Sequence, residues 1–128
     1  MTTGKQLFST LADGKLTVEI AAINYADPTG NQVLVQMEAA PINPSDLALL
    51  TGAADLENAE YSDGKFVASM PEPFFSAQKG RHGLRLPVGN EGAGTVIAAG
   101  EGEAAQALIG QRVACVPGSA YSQYCVAD

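Results

Sequence analysis

The sequence predicts a mainly β domain, a barrel or a sandwich, carrying one or two short helices. Three observations predict it. Residues 15–23 alternate apolar and polar side chains, strand-like runs return after residue 86, and glycine or proline separates nearly every run from the next. At 128 residues, 46% of them apolar, the chain has material for one core and not two.

Lys15 to Ile23 places Leu16, Val18 and Ile20 on one face and Lys15, Thr17 and Glu19 on the other, the period of a half-buried strand. Asp27-Pro28-Thr29-Gly30-Asn31 is a turn by composition. A second strand is expected from Gln32 to about Ile42, with Val33, Val35 and Met37 facing inward. The period then changes. Asn43 suits a helix N-cap, Pro44 suits the first helical position, where its missing N–H costs nothing, and Asp46 favours the dipole of the first turn. Gly52 ends this two-turn helix.

Ala53 to Leu86 shows no clear periodicity beyond a short hairpin around Lys65–Ser69, and a stretch this long suggests a functional or mobile insertion over 53–85. Strands are expected again at Gly94–Ala99, Arg112–Val116 and Tyr121–Val126.

Seven basic residues face fourteen acidic ones, a net charge of −7 that repels a nucleic-acid backbone. The one cationic cluster, Lys79, Arg81, His82 and Arg85, reads as a solvated loop, with an anion site for a phosphorylated substrate as the other reading. Cys115, Cys125 and the lone His82 cannot make an ordinary four-ligand zinc site without a carboxylate. Residues 1–10 have no apolar signal core, and no apolar run approaches the roughly 20 residues needed to span a bilayer. The chain therefore reads as cytoplasmic, with reduced thiols in predicted strands and no membrane partner.

Gly89-Asn90-Glu91-Gly92-Ala93-Gly94 is not the dinucleotide fingerprint. Its glycines fall in the order G-x-x-G-x-G, and Thr95-Val96-Ile97 continues as a strand where that fingerprint requires a helix. Glycines here would serve close backbone approach and bends.

Two segments in order, Val33–Met37 with Ala40-Pro41-Ile42-Asn43-Pro44-Ser45-Asp46-Leu47, and Leu86-Pro87-Val88-Gly89-Asn90-Glu91-Gly92-Ala93-Gly94-Thr95-Val96, are followed by Gly110-Gln111-Arg112-Val113 and Tyr121-Ser122-Gln123-Tyr124. Together they resemble the N-terminal, GroES-like part of medium-chain dehydrogenases/reductases, within the quinone oxidoreductase and 2-enoyl thioester reductase branch. The resemblance implies a partly open GroES-like β-barrel and an NAD(P)H-dependent parent protein acting on a small-molecule substrate.

Zinc alcohol dehydrogenases of that superfamily carry a cysteine ligand where this chain has Asn43 and a histidine where it has Asn90. Neutral amides are poor zinc ligands, and the four-cysteine structural lobe has no room between Val113 and Tyr121. The resemblance therefore implies no metal and a zinc-independent hydride transfer to quinones or activated alkenes. By the same resemblance Asn43 and Pro44 border the nicotinamide, and Asn43, Ser45 and Asn90 are the candidate catalytic residues. Asn43 is equally accounted for as a helix cap. Ser45 aligns with a proton-relay hydroxyl that loses its partner without zinc, and Asp46 and Glu91 read as structural. The proton-donating tyrosine of enoyl thioester reductases has no counterpart beyond Tyr61 in the insertion, and Gln111 replaces the usual aspartate before Arg112.

The superfamily's nucleotide-binding domain is not within these 128 residues, so residues 1–128 are expected to be an N-terminal catalytic-domain part that is inactive alone. The alternative is a non-catalytic binding or assembly module, whose unpaired strand edges would favour a homo-oligomer.

Overall fold

The chain opens on a hairpin that hydrophobic periodicity does not announce. In the computed structural model, which describes residues 1–128, β1 (Thr2–Ala12) and β2 (Lys15–Tyr25) pair antiparallel along their whole length. Asp13 and Gly14 join them with φ of 53° and 71°, the type I′ turn whose twist matches that of the flanking strands. Inward positions of β1 are Gly4, Gln6, Ser9 and Leu11, mostly small or polar, so the strand lacks an apolar alternation.

β3 (Val33–Ala39) leads into α1 (Pro44–Leu50). The stretch after the helix is not structureless. It holds the hairpin β4 (Glu60–Ser62) and β5 (Lys65–Ser69), a single helical turn α2 (Phe74–Ala77), a 3-10 turn at Lys79–Arg81 and the short β6 (Arg85–Pro87). β7 (Gly92–Ala99), the one-turn α3 (Glu103–Gln106), β8 (Arg112–Cys115) and β9 (Tyr124–Ala127) complete the chain. No helix is long and apolar enough to cross a membrane.

Nine strands form two antiparallel sheets, ordered β4-β5-β2-β1-β6 and β8-β7-β3-β9. The segment before β9 stitches them together: Leu7 N–H donates to Tyr121 O, Gln123 N–H to Lys5 O and Met37 N–H to Gln123 O, each at 2.9 Å. The sheets do not close fully, which agrees with a mainly β, partly open GroES-like architecture.

Each sheet has its own core. Leu11, Leu16, Val18 and Met70 pack under the first, with Leu50 and Phe75 against them. Val33, Val35, Val96, Ala105 and Cys125 pack in the second. Full burial of one such aliphatic side chain contributes about 1.5–3 kcal/mol. The alternation read for β2 holds at Leu16 and Val18 but not at Ile20, which is 53% exposed. The register with β5 ends at Glu19, and the Ile20 N–H bonds to the Gly64 carbonyl of the turn.

The cationic cluster is a solvated loop only in part: Lys79 and Arg85 are exposed, while Arg81 and His82 are half-buried. Arg81 Nη2 donates to Ser9 Oγ at 2.8 Å, while its Nε and Nη1 are buried without a partner, and burial lowers its pKa. The His82 ring stacks on Phe75 at 4.0 Å between centroids. Arg85 lies 4.0 Å over the Phe8 ring and pairs with Glu19 at 3.1 Å. These residues fasten the 70–87 stretch onto the first sheet.

Candidate functional site

The start of α1 and the Gly89–Glu91 segment meet through one carboxylate. Asn43 has extended backbone (φ −86°, ψ 157°) and Pro44 opens the helix, so Asp46 falls at the third helical position and closes back on the N-cap. Asp46 Oδ2 accepts the Asn43 N–H and Oδ1 accepts the Asn90 N–H, both at 2.9 Å. The side chain is 2% exposed. The Asn43 N–H holds its carboxyl below the usual carboxylate range against the opposing effect of burial, and the Asn90 N–H adds to this.

Side-chain amides then face outward from this anchor. Asn90 Nδ2 donates to Ser45 Oγ at 2.6 Å, and Asn43 Nδ2 donates to Glu91 Oε1 at 3.0 Å. Asn43 is half-buried, while Ser45, Asn90 and Glu91 are exposed. The three candidate catalytic residues therefore lie in one cluster, with Pro44 exposed at its edge. A primary amide offers two N–H donors and a carbonyl acceptor, so each asparagine keeps polar capacity beyond the bond it makes here.

Tyr121 was not singled out as a site residue by the sequence. Its hydroxyl donates to the Pro41 carbonyl at 2.8 Å, and burial, followed by the neighbouring Asp46 carboxylate, raises its pKa. Only the tertiary fold brings it here, 80 residues along the chain from Pro41. Tyr61, by contrast, is 71% exposed in β4 and packs against Phe66.

Two glycines set the approach of the segments. Gly89 has φ of +100°, and a Cβ there would lie 2.6 Å from Tyr121 N. Gly94 lies against the Gln36 backbone in the β3–β7 pairing, where a Cβ would clash with the Gln36 carbonyl. Close approach, not phosphate binding, explains the glycine pattern. Beside the cluster is a cavity of about 330 Å³ lined by Pro41, Glu91, Gly92, Cys115 and Val116 among others.

The donors in the cluster are amides, a hydroxyl, Glu91 and a carboxylate already occupied by two backbone N–H groups. Nowhere in the chain do three His, Cys, Asp or Glu side chains converge on a point that could hold a metal.

Comparison with known proteins agrees with this fold. A structure of a protein assigned as an NADPH:quinone reductase from Mesorhizobium loti superposes with a TM-score of 0.60 at 25% identity, covering 100% of this chain and 36% of the other. One assigned likewise from Bacillus thuringiensis gives 0.63 at 23% identity, covering 100% and 32%. A mycobacterial protein solved in complex with NADPH gives 0.58 at 22% identity, covering 97% and 31%. The chain thus spans about a third of the length of these proteins. No protein of curated function matches it. Residues 29–128 match the alcohol dehydrogenase GroES-like domain, so the chain belongs to that family.

Proposed function

We propose that this chain is the N-terminal part of the catalytic domain of a zinc-independent, NAD(P)H-dependent oxidoreductase that reduces quinones or activated alkenes such as enones and enoyl thioesters. One observation carries the reading: the two asparagines, which the family resemblance sets where the zinc enzymes have metal ligands, each donate a side-chain hydrogen bond, Asn43 to Glu91 and Asn90 to Ser45. Their donor chemistry does not fit zinc, which takes thiolate, imidazole or carboxylate. It suits a substrate carbonyl, whose oxygen gains negative charge as hydride arrives at the conjugated carbon.

Asn43 is the residue to orient that carbonyl, with Glu91 fixing its rotamer. Asn90 and Ser45 form the second polar arm, joined by the Asn90 amide donating to Ser45 Oγ. The nicotinamide, when bound, supplies the hydride. Asn43 and Pro44 would border it, and the exposed apolar side chain of Ile42 next to them suits a flat ring. Nucleic acid and membrane are not partners in this reading, and the protein works in the cytoplasm.

The test compares residues 1–128 with the full-length gene product. The short chain is expected to leave NADPH fluorescence unchanged. The full-length protein should oxidise NADPH with a 1,4-quinone or an enone at a rate that zinc chelators do not alter. Chelator-sensitive alcohol oxidation would overturn the proposal. A second reading, a non-catalytic assembly module, draws on the open edges of β8 and β9. It predicts a concentration-dependent dimer of residues 1–128 in sedimentation equilibrium.

A further inference from the structure

Inside the second sheet, outside the amide cluster, the Cys125 thiol has two sulfur neighbours, Cys115 and Met37. Cys115 belongs to β8 and Cys125 to β9, the two opposite edges of the β8-β7-β3-β9 order. The sheet curls enough to bring their Sγ atoms to 3.8 Å. Met37, on β3, places its Sδ 3.5 Å from Cys125 Sγ. Both thiols are free.

We propose that Cys115, Cys125 and Met37 form a binding site for a soft monovalent cation of the copper(I) class, held by two thiolates and a thioether between the edge strands.

The spacing suits a bridging cation. With metal–sulfur bonds of about 2.3 Å, donors around a trigonal or tetrahedral centre stand roughly 3.8–4.0 Å apart; the two thiols already stand 3.8 Å apart, and the flexible Met37 thioether, 3.5 Å from Cys125, needs only a small outward shift. A disulfide would need the sulfurs to close to about 2.05 Å, which requires movement; coordination requires little. Donor type sets the class of cation. Thioether and thiolate select soft ions, and the lack of any convergence of three His, Cys, Asp or Glu side chains leaves hard and borderline cations without a donor set.

The surroundings leave room for the thioether. A Cβ at Gly92 would lie 2.5 Å from Met37 Cε, so glycine at this position makes space for the methionine end. Access is also present. Half-buried Cys115 lines the 330 Å³ cavity beside the amide cluster. On binding, one cation replaces the two thiol protons, which pass to solvent, and no oxidation state changes.

The purified, reduced protein is mixed anaerobically with copper(I) held by a chromophoric copper(I) chelator. The expected result is transfer of one equivalent, with ultraviolet thiolate-to-copper absorption and no retention of zinc in a parallel titration. Met37→Leu, close in volume, should keep the melting temperature and weaken copper affinity by roughly tenfold or more. Cys115→Ser should abolish transfer. If the chelator keeps all the copper, or the Cys115→Ser/Cys125→Ser double variant retains as much as the unmodified protein, the proposal fails. Should the cysteine variants not fold, Met37→Leu decides alone: unchanged affinity overturns the site.

Discussion

Asp46 and Asn90 lie 44 residues apart, yet the Asn90 N–H donates to Asp46 Oδ1 at 2.9 Å. Through its other oxygen the same carboxylate takes the Asn43 N–H. One buried side chain thus fixes the separation of the two backbone segments that present the candidate catalytic amides.

Removing it should loosen both segments together. Asp46→Ala is expected to lower the melting temperature by at least several degrees. In Asp46→Asn, charge-assisted acceptance from two N–H groups is lost while the volume is kept. The folded carboxyl of Asp46 titrates below its unfolded value, because backbone N–H groups favour the charged form. Its contribution is therefore complete above the unfolded pKa, about 3.9, and disappears as pH falls through the lower folded value. Melting curves from pH 7 to pH 3 should show the gap between wild type and Asp46→Asn narrowing only below about pH 4. A gap independent of pH would contradict this.

If the amides act on substrate, their loss should reach turnover and leave the fold alone. In the full-length protein, under the proposed activity, Asn43→Ala is expected to reduce kcat/KM by about 100-fold, with a melting temperature near that of wild type. A double-mutant cycle over Asn90→Ala and Ser45→Ala, read in kcat/KM, should show coupling of about 0.5–1 kcal/mol from the 2.6 Å bond between them. Additive effects would separate Ser45 from the site.

Glycine at position 94 is a steric requirement of the β3–β7 pairing. Gly94→Ala would drive a methyl into the Gln36 carbonyl, and a loss of roughly 1–3 kcal/mol in urea unfolding is expected. Gly80, with open space around it, is the control: Gly80→Ala should change stability by less than about 0.5 kcal/mol.

Arg81 has two buried guanidinium nitrogens, Nε and Nη1, with no partner. Replacing it with methionine removes unmet donors and keeps most of the packing, so Arg81→Met should leave stability unchanged or raise it by up to about 1 kcal/mol. A large loss would show that the Ser9 contact outweighs the cost of burying the guanidinium.

How much was legible depended on whether a signal was local. The alternation of Leu16 and Val18, the Asn43-Pro44 helix start and the break at Gly52 all concern a residue and its near neighbours, and each marks an element or a boundary that is present. β1 was missed because its buried face is Gly4, Gln6 and Ser9; the local sign that could have revealed it was the Asp13-Gly14 turn.

Taken alone, the amino-acid order determined the mainly β class, the helix that carries Asn43, Ser45 and Asp46, and the absence of thiolate or imidazole at the positions of Asn43 and Asn90. Those properties depend on residue type and short-range spacing. Tertiary structure alone decided that Asp46 grips Asn90, that Tyr121 reaches Pro41, that Arg81 is buried against Ser9, and that Cys115 meets Cys125 from the opposite edge of a sheet. Such contacts arise from strand order and sheet curl, which gather residues far apart in the chain and leave no period in the sequence.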